Sequence, residues 1–189
     1  MAVEEPPFRL VSRESGFEIR DYPALIVAEV TIDGSRAQAA NRGFRPLAGY
    51  IFGANSPRAK IAMTAPVLTS PAPRDGEKIA MTAPVIQSPL ESGRWVVRFV
   101  MPQGYTLASL PDPDDPRVQL VETPARRVAV MRFTGLWSET GLARKSAALE
   151  AGVRAAGLAP AGPPSFAFYD PPWTPPFLRR NEIMVPITP

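Results

Sequence analysis

Neither histidine nor cysteine occurs anywhere in this chain, and that absence narrows its chemistry before any motif is considered. Without cysteine there are no disulfides, thiolate nucleophiles, iron–sulfur clusters or Cys-type zinc sites. Without histidine the commonest general base, the commonest metal ligand and the Ser-His-Asp triad are gone as well. Carboxylates, tyrosine, lysine, arginine and hydroxyls remain. Glu29, Glu122, Glu139 and Glu182 lie near suitable aromatics in the sequence, and a Glu buried against Tyr or Trp with a raised pKa would serve a cofactor-free hydrolase. No spacing demands that reaction. A second group with chemical potential is a repeated octapeptide: Lys60-Ile-Ala-Met-Thr-Ala-Pro-Val67 recurs as Lys78-Ile-Ala-Met-Thr-Ala-Pro-Val85. Each copy presents a thioether, at Met63 and Met81, next to a proline-terminated apolar run.

The elements that must position these groups are read from periodicity. Ala24–Ile32 is β-branched and apolar, the signature of a strand. Asp33-Gly34 turns the chain, and Ser35 with Gln38 has capping-box spacing. Ala37, Ala40, Phe44, Leu47 and Ile51 then recur at alternating steps of three and four, which predicts an amphipathic helix ending near Gly53 and Asn55. Pro46 should kink or divide it. The turn-rich stretch between the octapeptides suggests that the two copies are neighbouring strands, each proline at an edge, bulge or strand end.

Arg94–Met101 is a further strand, and Gly104 to Pro116 a loop. The second half repeats the order of the first. Val118–Glu122 and Arg127–Phe133 read as strands, and Thr134-Gly135 as a turn. Ser138 caps a helix reaching about Ala156, with Leu142, Leu149 and Val153 on one face, and Gly157 closes it. Ser165–Tyr169 and Asn181–Ile187 are the last strands, around a proline-rich loop. Two helices cannot cover both faces of a parallel sheet of this size. The expected fold is therefore α+β: a curved antiparallel sheet or distorted barrel with two packed helices and an internal pseudo-two-fold. A ligand would find apolar walls in the groove between helix and sheet near that axis.

The paired Ile-Ala-Met-Thr-Ala-Pro-Val segments, Gly49–Asn55 ahead of them, and Tyr169-Asp-Pro-Pro-Trp-Thr-Pro-Pro-Phe-Leu-Arg-Arg-Asn-Glu182 resemble the SOUL haem-binding proteins. The resemblance runs from about Phe17 to Ile187, leaving residues 1–16 as an N-terminal extension before a domain at 17–189. It implies a distorted antiparallel barrel with two helices, and non-covalent haem or tetrapyrrole binding as a carrier, buffer or sensor without catalysis. Some members are thought to hold iron through histidine, which this chain lacks; Met and Tyr are the familiar axial ligands left, with Lys a further option. Tyr50, Met63 and Met81 are thus the candidate iron ligands, though the two methionines read more readily as ordinary strand residues packed against a helix. Arg36 and Arg45 flank the helix stripe and suit gripping carboxylates at a groove edge. Phe44, Leu47, Tyr50 and Ile51 would form pocket wall, and Trp137 and Trp173 lid or wall. Arg179–Glu182 reads more readily as an anchor for the proline-rich loop.

Two other functions share the architecture: a small-molecule effector or drug-binding module of gyrase-inhibitor-like fold, favoured by a buried Glu in the pocket, and the Glu/Tyr hydrolase. The net charge of +3 and the absence of any long like-charge run argue against nucleic acid as a partner. No apolar run approaches the ~18 residues of a membrane span. The acidic, proline-bearing N-terminus is unlike a signal peptide, so the expected setting is cytoplasmic, the partner a small apolar ligand, and the state a monomer or weak oligomer.

Overall fold

A computed structural model describes residues 4–56, 76–90, 93–171 and 173–188. Its strands are β1 (Arg9–Glu14), β2 (Phe17–Tyr22), β3 (Leu25–Asp33), β4 (Asn55–Ser56), β5 (Val85–Pro89), β6 (Arg94–Val100), β7 (Asp112–Pro113), β8 (Gln119–Thr123), β9 (Arg126–Thr134), β10 (Ala159–Pro160), β11 (Ser165–Phe168) and β12 (Arg180–Thr188). Helix α1 spans Arg36–Ile51 and α2 spans Glu139–Ala155.

One antiparallel sheet runs in the order β1-β2-β9-β12-β11-β5-β6-β3-β8, with β10 paired to β12, while β4 and β7 form a separate ribbon. Read outward from the central β11–β5 pair, the order is symmetric. One half is β5-β6-β3-β8 and the other β11-β12-β9-β2. In each half the strand two steps from the centre, β3 or β9, feeds a helix. The outer strands are exchanged: β2 precedes β3 in the chain yet pairs with β9, and β8 precedes β9 yet pairs with β3. This exchange ties the halves into one domain. Strand β1, in the stretch read from sequence as an extension, is hydrogen-bonded along β2.

Alternation along the strands sorts side chains onto two faces. Ala28, Val30, Val97 and Phe99 form a core with Leu47, Tyr50 and Ile51 of α1. Ala129, Ile183 and Val185 do the same with Leu142, Leu149 and Val153 of α2. The opposite parity (Val27, Val100, Val128, Val130, Ala167 and Met184) makes a third cluster on the concave face. The expected curled antiparallel sheet with two packed helices is what the chain forms.

Both helix starts follow the expected chemistry. Ser35 Oγ accepts from the Gln38 amide, and Gln38 Oε1 accepts from the Ser35 amide. Ser138 accepts from the Gly141 amide. Two expectations for α1 are corrected. Pro46 does not divide it, the helix running from Arg36 to Ile51. Its buried face is Arg36, Ala39, Gly43, Pro46, Leu47, Tyr50 and Ile51, whereas Ala37 and Phe44 face outward. Close approach to the sheet selects this face: a Cβ on Gly43 would lie 2.7 Å from Val97 Cγ2 and 3.2 Å from Val30 Cγ2. The octapeptide strands are also revised. The first copy lies outside the described residues; in the second, only Val85 enters a strand, and Lys78–Pro84 is a lead-in to β5.

Candidate binding site

The outer flank of α1 carries several of the residues singled out from sequence. Phe44 is 43% exposed and rests edge-on against Phe99, with ring centroids 5.4 Å apart. Arg45 beside it is exposed. The helix ends at Phe52, which is 59% exposed. The chain returns along this end: Ile79 donates its amide to Ile51 O at 2.8 Å, and Asn55 holds Glu77 by its carbonyl and its amide. Two residues after Ile79 stands Met81, 43% exposed, and Thr82 donates to Val100 O. Phe44 and Met81 therefore flank the same end of β6, with Phe52 on the turn between α1 and the returning segment. Leu47, Tyr50 and Ile51 form the floor beneath. Tyr50 is core, its hydroxyl donated to Pro111 O at 2.9 Å. Met63 lies outside the described residues.

Arg36, expected at a groove edge, is instead enclosed at the pseudo-two-fold. Its guanidinium donates to Glu139 at 2.7 and 3.2 Å and to Gln87 at 3.1 Å, and lies 3.8 Å from the Trp137 ring centroid. Arg36 and Glu139 are the first residues of α1 and α2, so the bridge joins equivalent positions of the two halves. Trp137 covers that bridge, while Trp173 is freely exposed.

The concave face holds an interaction that no sequence spacing announces. Glu182 is fully buried and receives Arg20 at 3.1 and 3.3 Å, Arg180 at 2.9 and 3.2 Å, and the Tyr169 hydroxyl at 2.7 Å. Burial, and then the charge of Glu182, push the Tyr169 hydroxyl well above the ordinary tyrosine range, so it serves as a donor. Burial opposes the Arg20 charge, but Tyr22, Glu182 and Glu18 more than offset it and raise its pKa. The N-terminal segment straps this cluster. Glu4 O accepts from the Ala83 amide, its carboxylate accepts from the Gln103 amide, Glu5 pairs with Arg180, and Phe8 lies 4.3 Å from the Arg20 guanidinium carbon. The Arg179–Glu182 run anchors its loop as expected: Arg179 donates to Thr174 O, the Arg180 amide to Asp170, and Asn181 to Gly135 O. Among the described residues no cluster of carboxylates could hold a metal ion, and no helix is long and apolar enough to cross a membrane.

A family model for SOUL haem-binding proteins matches residues 3–186. The chain belongs to the SOUL haem-binding family. None of the curated proteins matches it in sequence. Among solved structures, the C-terminal domain of EcmrR is similar at a TM-score of 0.59 and 15% identity, covering 91% of this chain and 96% of that one. A hydrolase from Listeria innocua is similar at 0.56 and 16%, covering 94% of each chain. An uncharacterized conserved protein from Listeria innocua is similar at 0.58 and 15%, covering 98% of this chain and 93% of the other. At these identities the likeness establishes the common fold and nothing finer.

Proposed function

We propose that this SOUL-family chain binds haem or a related tetrapyrrole non-covalently on the outer flank of α1, as a carrier, buffer or sensor without catalysis of its own. The observation that carries the reading is an exposed apolar surface beside a cation, on a member of a haem-binding family. Phe44, Phe52 and Met81 stand out from a rigid core, with Arg45 next to them. Lone exposed apolar residues are ordinary; here Phe44 on the outer side of α1, Phe52 at its end and Met81 on the returning segment offer apolar surface to a flat partner. Burying apolar surface contributes roughly 2.5 kcal/mol per 100 Å2, so a macrocycle can be held without an iron bond. Arg45 suits a propionate at the rim. Met81 offers a thioether to iron, a role open to Met63 as well. Arg36 and Tyr50 contribute at one remove, by fixing α1 against α2 and against the β7 loop.

Glu182 bears on the hydrolase and drug-binding readings. Its oxygens are taken by two arginines and a tyrosine, so this carboxylate is not free to accept a proton or pair with a cationic drug. Haemin titrations followed by absorbance test the proposal on variants of the exposed positions. Phe44→Asp and Arg45→Glu should each weaken binding about tenfold, on the scale of one lost charged or apolar contact. Trp173→Ala should leave it unchanged. Equal affinity in all three variants would exclude this face.

A further inference from the structure

Among the described residues, four arginines are gathered at the concave side of the sheet, and three of them take up all of the carboxylates there. Arg20, Arg98 and Arg180 come from β2, β6 and β12, and each is paired: Arg20 with Glu18 and Glu182, Arg98 with Glu29, Arg180 with Glu182 and Glu5. Arg126, the first residue of β9, sits opposite Tyr22 in the sheet register. Its guanidinium makes no ion pair or hydrogen bond with the described residues. Burial, and then the like charge of Arg98, lower its pKa. A half-buried guanidinium without a counter-ion is costly, and an apolar residue at this position would avoid the cost.

The surroundings of Arg126 show what would complete it. It lines an open groove of about 560 Å3, within the range of small-molecule sites. The walls beside it are mainly apolar, from Tyr22, Ala125, Ala161, Pro186 and Ile187. The acidic residue on the rim, Asp21, is already held by Arg127 at 2.7 and 3.0 Å and by Arg9, and does not reach Arg126. The Tyr22 hydroxyl accepts from Arg20, which leaves its own proton to donate.

We infer that this groove binds an amphipathic carboxylate, the anion held by Arg126 and Tyr22 and the apolar body laid along Ala125, Ala161, Pro186 and Ile187. The site is separate from the α1 flank, so it stands whether or not that flank takes haem.

Calorimetric titration of the full chain with dodecanoate and with dodecan-1-ol tests it, since the two share a chain and differ in charge. The wild type should bind dodecanoate saturably, one to one, at least tenfold more tightly than the alcohol. Arg126→Gln should abolish that preference, and Arg126→Lys, which keeps the charge, should retain most of it. Circular dichroism identifies any variant that has lost its fold, and the acid-to-alcohol ratio of the wild type decides the matter without a variant. Phe44→Asp should leave dodecanoate affinity unchanged, so failure of the haem reading is distinguishable. Equal affinity of the wild type for acid and alcohol, or undiminished dodecanoate binding by Arg126→Gln, would overturn the assignment.

Discussion

Replacing Glu182 with Gln preserves the shape of the side chain and removes the charge on which the concave face depends. Arg20, with only 5% of its side chain exposed, would lose its buried partner and keep only the more accessible Glu18. Arg180 would retain Glu5, which is 44% exposed. The amide NH2 of Gln would also point at donors, because Arg20, Arg180 and Tyr169 all donate toward this position. Breaking a buried pair by removing one partner costs about 3–5 kcal/mol. At about 2–4 °C per kcal/mol for a domain of this size, melting should fall by roughly 6–20 °C. Urea unfolding of wild type and Glu182→Gln, followed by tryptophan fluorescence and far-ultraviolet circular dichroism, measures the loss. The double variant Arg20→Met/Glu182→Leu should recover only part of it: apolar replacement of a buried pair is often neutral or better, but Arg180 and the Tyr169 hydroxyl still lose their acceptor. A loss under 1 kcal/mol in Glu182→Gln would refute the reasoning and return Glu182 to consideration as a ligand-facing carboxylate.

Tyr50→Phe should destabilise by about 1–3 kcal/mol, because Pro111 O loses its buried donor, yet leave the haemin absorbance spectrum unchanged. Gly43→Ala should gain about 1 kcal/mol of helix propensity but lose about 1–3 kcal/mol to overpacking against Val97, and Val97→Ala in the same chain should relieve the clash; urea midpoints of the single and double variants check this. The Asp21 carboxyl is held at about 2, chiefly by hydrogen bonds from Arg127 and with help from Arg9. Its folded pKa is depressed, so its stabilisation is complete above the unfolded value near 3.8 and is lost as pH falls from there through about 2. Thermal melting from pH 2 to 5 should therefore fall less steeply in Asp21→Asn than in wild type.

Much of the fold is legible in the sequence because its longest elements are locally consistent. The β-branched run of β3, the alternation in β6 and β9, and the Ser-capped helix starts state their structure within a few residues. Strand β2 was not expected, although Phe17 and Ile19 alternate with Glu18 and Arg20. Its charged parity faces the barrel interior, where Glu182 receives Arg20, and such a pattern does not read as a buried strand. The buried face of α1 is hidden from the sequence for a related reason. Hydropathy favours Phe44 over Gly43, but an element lying close on a sheet needs its smallest residues at the contact. In the sequence Arg36 flanks the apolar stripe of α1, which points to a groove edge; Glu139 and Trp137, from the other half of the chain, are what permit its burial. The Arg20–Glu182 contact joins residues far apart in sequence, and only the exchange of β2 between the halves brings them together.

The central claim, a tetrapyrrole held chiefly by apolar contact, is tested most directly by comparing haemin with metal-free protoporphyrin on the wild-type chain. Quenching of tryptophan fluorescence measures both. The two should saturate at one equivalent with affinities within about tenfold, less than one charged contact would contribute. Unsaturable quenching by both would contradict the claim, showing partition onto the surface and no binding site.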